Sequence, residues 1–266
     1  MTALPRADRG RDHADVLGCR IDRLDMAETV ARCESFVESG TFAQHVAINA
    51  AKLVSMHEDR ELQETIGGCE LVSADGQAVV WASRLIGDPL PERVAGIDLM
   101  DELMALAARR GHRVYVLGAR HEVLERALSR LCERHPDLQL AGYRDGYFSE
   151  AEEAEVAAEI QHCRPQMLFV AMPSPRKEYF LGRHGQGMGV PFAMGVGGSI
   201  DVVAGEVHRA PGVMQRLGLE WLFRLLQEPA RLFPRYARTN TIFAYLVLRE
   251  MIRRRRVRGR GDRDRL

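Results

Sequence analysis

The apolar positions of the chain fall into short blocks that alternate with longer segments of helical spacing. The short blocks predict strands at 45–49, 71–74, 113–118, 138–143, 167–172 and 191–197. The longer segments predict helices at 50–66, 76–86, 97–110, 121–134, 149–162 and 175–184. Strands separated by helices are typical of βαβ units. We therefore expect an α/β fold with a Rossmann-like, mainly parallel sheet and helices on both faces.

The pattern changes after Pro211. Residues 213–227 and 229–252 predict two amphipathic helices, with the break at Glu228-Pro229 because Pro is favoured at the start of a helix. Residues 209–266 hold 15 arginines, no lysine and five acidic residues, a net charge of +10. Since the whole chain has a formal net charge of zero, residues 1–208 carry −10. We expect a basic helical appendage that meets something anionic, such as phospholipid headgroups, nucleic acid or substrate phosphates.

These shifts in composition divide the chain into four predicted parts. They are a disordered leader (1–15), a Rossmann-like catalytic domain (16–208), an amphipathic helical appendage (209–252) and a disordered Arg-rich tail (253–266). The five cysteines are scattered and form no CxxC pair, which favours reduced thiols in a cytoplasmic protein over a disulfide framework or a zinc site. The N-terminus has no apolar signal segment, and no segment reaches the ~18 apolar residues of a spanning helix.

Asp75 comes directly after the predicted strand 71–74 and precedes a glycine. Ligands of an open parallel sheet bind at the carboxyl ends of its strands, so this carboxylate is placed to act as a general base on a hydroxyl nucleophile. The alternative is that Asp75 caps the helix that begins at Gln77, and the local pattern alone favours the cap.

Two further strand ends carry residues suited to chemistry. Gly195, Gly197 and Gly198 lie at the end of the predicted strand 191–197, where the run PFAM gives way to a helix. Their backbone N–H groups are suited to a phosphate; the alternative is a tight turn. Lys177 follows the strand 167–172 in a Pro-rich turn that could hold a sugar or phosphate, or be an ordinary solvated turn. It is one of only two lysines in the chain, the other being Lys52.

No DxD pair lies at a predicted strand end. Asp262 and Asp264 have the spacing but fall in the predicted tail. We therefore expect a mechanism that needs neither a metal ion nor a cofactor.

Seven segments, spread from about Val16 to about Met251, resemble the WecG/TagA/CpsF family of bacterial glycosyltransferases. They are Asn49-Ala50, Asp75–Arg84, Arg93–Leu99, Arg144–Phe148, Gly195–Asp201, Arg209–Pro211 and Gly218–Pro229. The resemblance implies inverting transfer of a hexose (N-acetylmannosamine, its uronic acid, or glucose) from a UDP-sugar to an undecaprenyl-diphosphate-linked saccharide. Such an enzyme would lie on the inner face of the cell membrane, with the appendage on the anionic surface, and could form a homo-oligomer.

The resemblance also implies roles for single residues. Asp75 would be the general base, and Asn49 and Arg93 would line the same pocket. Arg224 and Arg231 of the appendage would close over the leaving diphosphate.

Two positions depart from the family pattern. Lys177 stands where Gln is common, and Ala47 stands where some members carry Thr. Either difference could alter the choice of donor.

Two other functions share the predicted fold class. A nucleotide-dependent oxidoreductase needs GxGxxG after its first strand, which the Asn49 region does not supply. A non-enzymatic nucleotide-binding module would bind UDP without turnover. Nucleic acid is a poorer partner, because the appendage carries Trp, Phe and Leu at helical spacing.

Overall fold

The computed structural model describes residues 12–263. Its strands are β1 (His13–Val16), β2 (Cys19–Asp22), β3 (Ala43–Ile48), β4 (Leu71–Ala74), β5 (Arg113–Gly118), β6 (Gln139–Arg144), β7 (Met167–Ala171) and β8 (Phe192–Gly195). Its helices are α1 (Met26–Ser39), α2 (Ala50–Glu58), α3 (Arg60–Gly67), α4 (Gln77–Leu85), α5 (Gly96–Arg110), α6 (His121–Arg134), α7 (Glu153–Cys163), α8 (Arg176–His184), α9 (Ser199–Val203), α10 (Gly212–Arg216), α11 (Glu220–Gln227) and α12 (Pro229–Arg263).

A six-stranded sheet in the order β4-β3-β8-β7-β5-β6 forms the centre of the fold. All neighbouring strands in it are parallel. The six predicted strands and the Rossmann-like α/β class are confirmed. β7 is buried along its whole length, as its continuous apolar run indicates.

Helices cover both faces of this sheet because the side chains of its strands alternate in direction. On β7, Phe169 packs in a cluster with α1, α5 and α6. Leu168 and Val170, its neighbours on either side, pack in another cluster with α7 and α8. The predicted two-sided packing is therefore confirmed.

The first strands of the structure were not predicted. β1 and β2 form an antiparallel hairpin around Leu17-Gly18, where both residues have positive φ. Residues Ala14, Val16 and Ile21 are buried in alternation with exposed neighbours, the pattern of a strand with one buried face. β1 begins at His13, inside the predicted leader 1–15, and residues 1–11 lie outside the described part.

Several helices differ from their predicted bounds. α1 was not predicted, and the predicted helix 50–66 is broken at Asp59, whose side chain caps α3. The predicted helix 213–227 is divided around Gly218, which has a φ of 71°. α12 continues to Arg263 through most of the predicted disordered tail 253–266, and residues 264–266 are not described. The four-part division remains a prediction.

The appendage meets the rest of the chain through the middle of α12. Phe243, Leu246 and Val247 are buried in a cluster with α2, α4 and the β1–β2 hairpin. No helix within residues 12–263 is long and apolar enough to cross a membrane.

Candidate active site at the carboxyl edge of the sheet

The ends of β3, β4 and β8 bring three of the predicted site residues to one edge of the sheet. Asn49 follows β3, Asp75 follows β4 and Gly195 ends β8, and β3 lies between the other two strands. A Cβ atom added at Gly76 would lie 3.3 Å from Asn49 Cα, so the loops after β3 and β4 are in contact. The structure therefore groups Asn49, Asp75 and Gly195, as expected for strand ends of a parallel sheet.

Asp75 is held by the backbone of a helix other than the one predicted. Its Oδ1 accepts a hydrogen bond from the N–H of Gly96, the first residue of α5, at 2.9 Å. α4, which begins at Gln77, has Gly76 as its N-cap and no side-chain cap. The prediction that Asp75 caps the Gln77 helix is therefore wrong.

Asp75 lies at the N-terminus of α5. The N-terminus of a 15-residue helix carries a partial positive charge that favours an anion. Among the described residues, none donates a hydrogen bond to the second oxygen of Asp75, Oδ2. One oxygen of Asp75 is thus fixed and the other is left for a hydroxyl group.

Asn49 has a structural role that the sequence analysis did not assign. Its Oδ1 accepts from the N–H of Lys52 at 3.0 Å and so caps the N-terminus of α2. This contact leaves the amide nitrogen of Asn49 as the part of the side chain that is able to reach a ligand.

Lys177 lies in a buried charge cluster. Its Nζ is 3.0 Å from Glu178 Oε1, and Lys52 Nζ is 2.7 Å from the same oxygen. The three side chains are at most 8% exposed. The alternative of a solvated charged turn at Lys177 is therefore wrong.

Gly195 is required for the position of Lys177. A Cβ atom added at Gly195 would lie 2.8 Å from Lys177 Cε, closer than real Cβ contacts come. The lysine chain therefore passes over the end of β8 toward the edge that carries Asp75.

Burial sets the protonation of this cluster. Burial lowers the pKa of Lys177 to about 8; repulsion from Lys52 adds to this, while Glu178 and Asp75 oppose it. Burial alone would raise the pKa of Glu178, but the two lysines outweigh it and hold that pKa below its usual value. His45 lies nearby on β3; burial, with Lys52 adding to it, lowers its pKa to about 3, so its ring is neutral.

Arg93 connects the site to the appendage. Its guanidinium donates to Glu220, the first residue of α11. Glu220 also lies 3.5 Å from Arg209, which in turn pairs with Asp98 of α5 at 2.6 Å. Arg93 was predicted only to line the pocket. The structure shows in addition that it pairs with the appendage.

The start of the appendage lies against the helix that follows Asp75. A Cβ atom added at Gly218 would lie 2.6 Å from Gln77 Cγ, so the turn between α10 and α11 packs closely on the first residue of α4. The base candidate and the appendage are therefore neighbours.

The glycine loop after β8 gives limited support to a phosphate site. Gly197 has a φ of 53°, and α9 behind it is only five residues long. Asp201 Oδ2 would lie 3.4 Å from a Cβ atom added at Gly198, so an acidic group lies beside the loop. Burial raises the pKa of Asp201, while Arg120 and Arg224 oppose that rise.

The two predicted appendage arginines, Arg224 and Arg231, have no described contact with Asp75. Arg224 is exposed on α11, and its charge reaches Asp201 beside the glycine loop. Arg231 lies in α12, but its side chain is outside the described part of the structure. Their roles remain predictions.

A comparison with known proteins identifies the family of the chain. Residues 14–257 match the model of the Glycosyl transferase WecG/TagA/CpsF family. The chain belongs to this glycosyltransferase family. The resemblance drawn from the seven segments is confirmed.

Two relatives in the family carry the same name, N-acetylglucosaminyldiphosphoundecaprenol N-acetyl-beta-D-mannosaminyltransferase. The protein from Bacillus subtilis is 35% identical over 187 residues, which cover 68% of this chain and 72% of the relative. The protein from Bacillus spizizenii is 38% identical over 169 residues, which cover 64% of this chain and 65% of the relative.

Two carboxylates of the candidate site, Glu178 and Glu220, were not predicted from the sequence. Each is the shared carboxylate between two cations, Lys52 and Lys177 for Glu178, and Arg93 and Arg209 for Glu220. The two lysines of an otherwise Arg-rich chain were the available signal for the first cluster.

Proposed function

We propose that the protein transfers a hexose, with inversion, from a UDP-sugar to an undecaprenyl-diphosphate-linked saccharide. Membership in the glycosyltransferase family supports the reaction class. The names of two relatives support a polyprenyl-linked acceptor and make N-acetylmannosamine the first sugar to test. Its uronic acid and glucose are the other donors to compare.

The observation that carries the proposal is the geometry of Asp75. Its carboxylate lies at the carboxyl edge of the sheet, with Oδ1 fixed by the Gly96 N–H at 2.9 Å. A base that is held by one oxygen and open at the other can accept the proton of an acceptor hydroxyl without a change in its own position.

The proposed step is a single displacement. Asp75 takes the proton as the acceptor oxygen forms a bond to the anomeric carbon of the donor. The bond from that carbon to the β-phosphate oxygen breaks, and its electron pair leaves with UDP. Because attack and departure occur on opposite faces, the anomeric configuration inverts.

The leaving diphosphate requires positive groups. The proposed sources are Arg224, Arg231 and the N–H groups near Gly197 and Gly198. Arg93 would act indirectly in this scheme, because its ion pair with Glu220 holds the first residue of α11 beside the site.

The appendage is proposed to bring the enzyme to its lipid-linked acceptor on the inner face of the membrane. Many of its large apolar side chains are exposed: Val213, Leu217, Trp221, Leu226, Phe233, Tyr245, Leu248 and Ile252. Arginines are interleaved with them. Apolar and basic side chains together are typical of segments that lie in an anionic headgroup layer.

The test is a donor screen with purified full-length protein, anionic vesicles and a polyprenyl-diphosphate N-acetylglucosamine acceptor. UDP release would be measured for each UDP-sugar, with and without EDTA. We expect release that needs both the acceptor and one donor and that resists EDTA. UDP binding without release from any donor would favour a non-enzymatic module, and release abolished by EDTA would contradict the metal-independent mechanism.

A further inference from the structure

The distribution of lysine in this chain is unusual. The chain has 37 basic residues, and only Lys52 and Lys177 are lysines. Both lie within 3.0 Å of one oxygen of Glu178, in a cluster that is almost completely buried. The only two lysines of the chain therefore pair with the same carboxylate. Lys52 and Glu178 are 126 positions apart in the sequence.

The cluster lies at the candidate active site. Because Gly195 at the end of β8 has no Cβ atom, the Lys177 side chain can pass close to the backbone there. The negative charge of Asp75 favours the protonated form of Lys177. With Lys52 and Lys177 protonated, the two cations balance the carboxylates of Glu178 and Asp75. If Lys177 loses its proton, this group of four side chains has a net charge of −1.

Lysine differs from arginine in that a protein can remove its charge. A guanidinium group stays protonated at every accessible pH, whereas a buried ammonium group can lose its proton near neutral pH. The other titratable groups that act on this cluster stay neutral near pH 7, because the pKa is about 3 for His45 and about 12 for Cys19, Cys69 and Tyr179. Lys177 is therefore the group whose charge changes.

We propose that Lys177 is a positioning residue whose protonated ammonium balances the carboxylates of Asp75 and Glu178, so that the site admits an anionic nucleoside diphosphate. This inference rests on the proposed transfer from a UDP-sugar. The sign follows from the charges. Below the pKa of Lys177 the site is neutral and the diphosphate binds; as the pH rises through that pKa, the site becomes negative and repels the diphosphate.

The experiment is a titration of UDP binding by calorimetry on the full-length protein between pH 6.5 and pH 9. Since the pKa of Lys177 is about 8, we expect the affinity of the wild-type protein to fall about tenfold with a midpoint near that pH, the effect of one uncompensated charge at a partly screened distance. A wild-type affinity that stays constant over this range would overturn the proposal.

Three variants separate charge from packing. Lys177→Met keeps the length of the side chain, and its UDP affinity at pH 7 is expected to be about tenfold lower and independent of pH. Lys177→Met/Glu178→Gln restores the neutral charge balance, and its affinity is expected to return to the wild-type value. Arg60→Met removes an exposed charge elsewhere and is expected to change nothing.

A purely structural role for Lys177 predicts a different outcome. Removing Glu178 would then add a second defect instead of rescuing the first, and weak binding by a folded double variant would overturn the proposal. Transfer assays distinguish this failure from failure of the proposed function. If the wild-type protein transfers sugar but Lys177→Met does not raise the KM for the donor more than it lowers kcat, this inference alone fails.

Discussion

The sheet-edge site and the appendage are joined to the protein by different kinds of contact. In the site, the Gly96 N–H fixes Asp75, and a buried ion pair with Glu178 holds Lys177 where its side chain passes close to Gly195. The first helices of the appendage are tied to the domain by ion pairs of Glu220 that are partly open to solvent. The site is therefore preorganised, whereas the position of α11 depends on charges that salt can screen.

The two regions also differ in how much of their apolar surface is exposed. Around the sheet, apolar side chains fill continuous clusters on both faces. In the appendage, Trp221 packs edge-on against Tyr236 at 6.2 Å, yet it remains 43% exposed. Among the described residues, most of the exposed large apolar side chains belong to the appendage. Because exposed apolar surface is typical of an interaction surface, we propose membrane contact for the appendage and chemistry for the sheet edge.

The largest effect on stability is expected from Gly195→Ala, a substitution in the buried sheet-edge site. The added Cβ atom would lie 2.8 Å from Lys177 Cε, so the lysine chain must move. We expect the free energy of unfolding to fall by about 1–3 kcal/mol, as for other overpacked cores, and UDP affinity to fall with it. Thermal unfolding and UDP calorimetry measure both. Gly187→Ala, at a position with no atom within 4 Å of the added Cβ, is the matched control, and an equal loss there would contradict the argument.

A smaller effect is expected from substitutions of exposed apolar residues in the appendage. Leu226→Ser and Phe233→Ser each remove an apolar side chain that is more than 60% exposed. Each is expected to weaken binding to anionic vesicles by about tenfold, since part of a side chain's transfer free energy is lost. Neither is expected to lower the unfolding temperature. Vesicle sedimentation at low and high salt measures the change. Vesicle binding that is unchanged by both substitutions and by salt would contradict membrane docking through this surface.

The smallest effect is expected from Glu220→Gln, which tests the connection between the two regions. It removes the charge that Arg93 and Arg209 share. Because ion pairs of this exposure contribute little to stability, we expect a change below about 1 kcal/mol in the free energy of unfolding. Hydrogen exchange at α11 is expected to rise, and kcat/KM with the lipid-linked acceptor to fall a few-fold. Glu250→Gln, which breaks ion pairs within α12 only, serves as the control. An equal rise in hydrogen exchange at α11 in that variant would contradict the claim that the ion pairs of Glu220 hold α11 in place.

The amino-acid sequence predicted the parallel sheet because short, mostly apolar blocks alternate with longer segments of helical spacing. It also placed Asp75 and Gly195 at strand ends, and the family resemblance implied that Asn49 lies in the same pocket as Asp75. The structure brings these strand ends to one edge because the sheet is parallel. It did not predict that Asp75 binds the start of α5, because that contact joins residues 21 positions apart through the fold. Local capping preference indicated the wrong helix.

The partners in the two charge clusters could not be predicted from the sequence for the same physical reason. Lys52 and Glu178 are 126 positions apart, and Arg93 and Glu220 are 127 apart. A pattern of apolar positions specifies which face of a helix is buried, but it does not specify which charged side chains meet when two helices reach the same strand end. The hairpin at β1 and β2 was missed because four-residue strands give too short an alternation to distinguish from a loop.

The most direct test of the account is to measure transfer and UDP binding together for Asp75→Asn. The amide keeps the size of the side chain but cannot take the proton of the acceptor. We expect UDP to bind at least as tightly, because one negative charge is removed, and transfer to fall by about 10²–10⁴-fold, the usual contribution of a general base. Asp137→Asn, at an exposed position, should retain both activities. An Asp75→Asn protein that binds UDP and still transfers sugar at close to the wild-type rate would show that Asp75 is not the base.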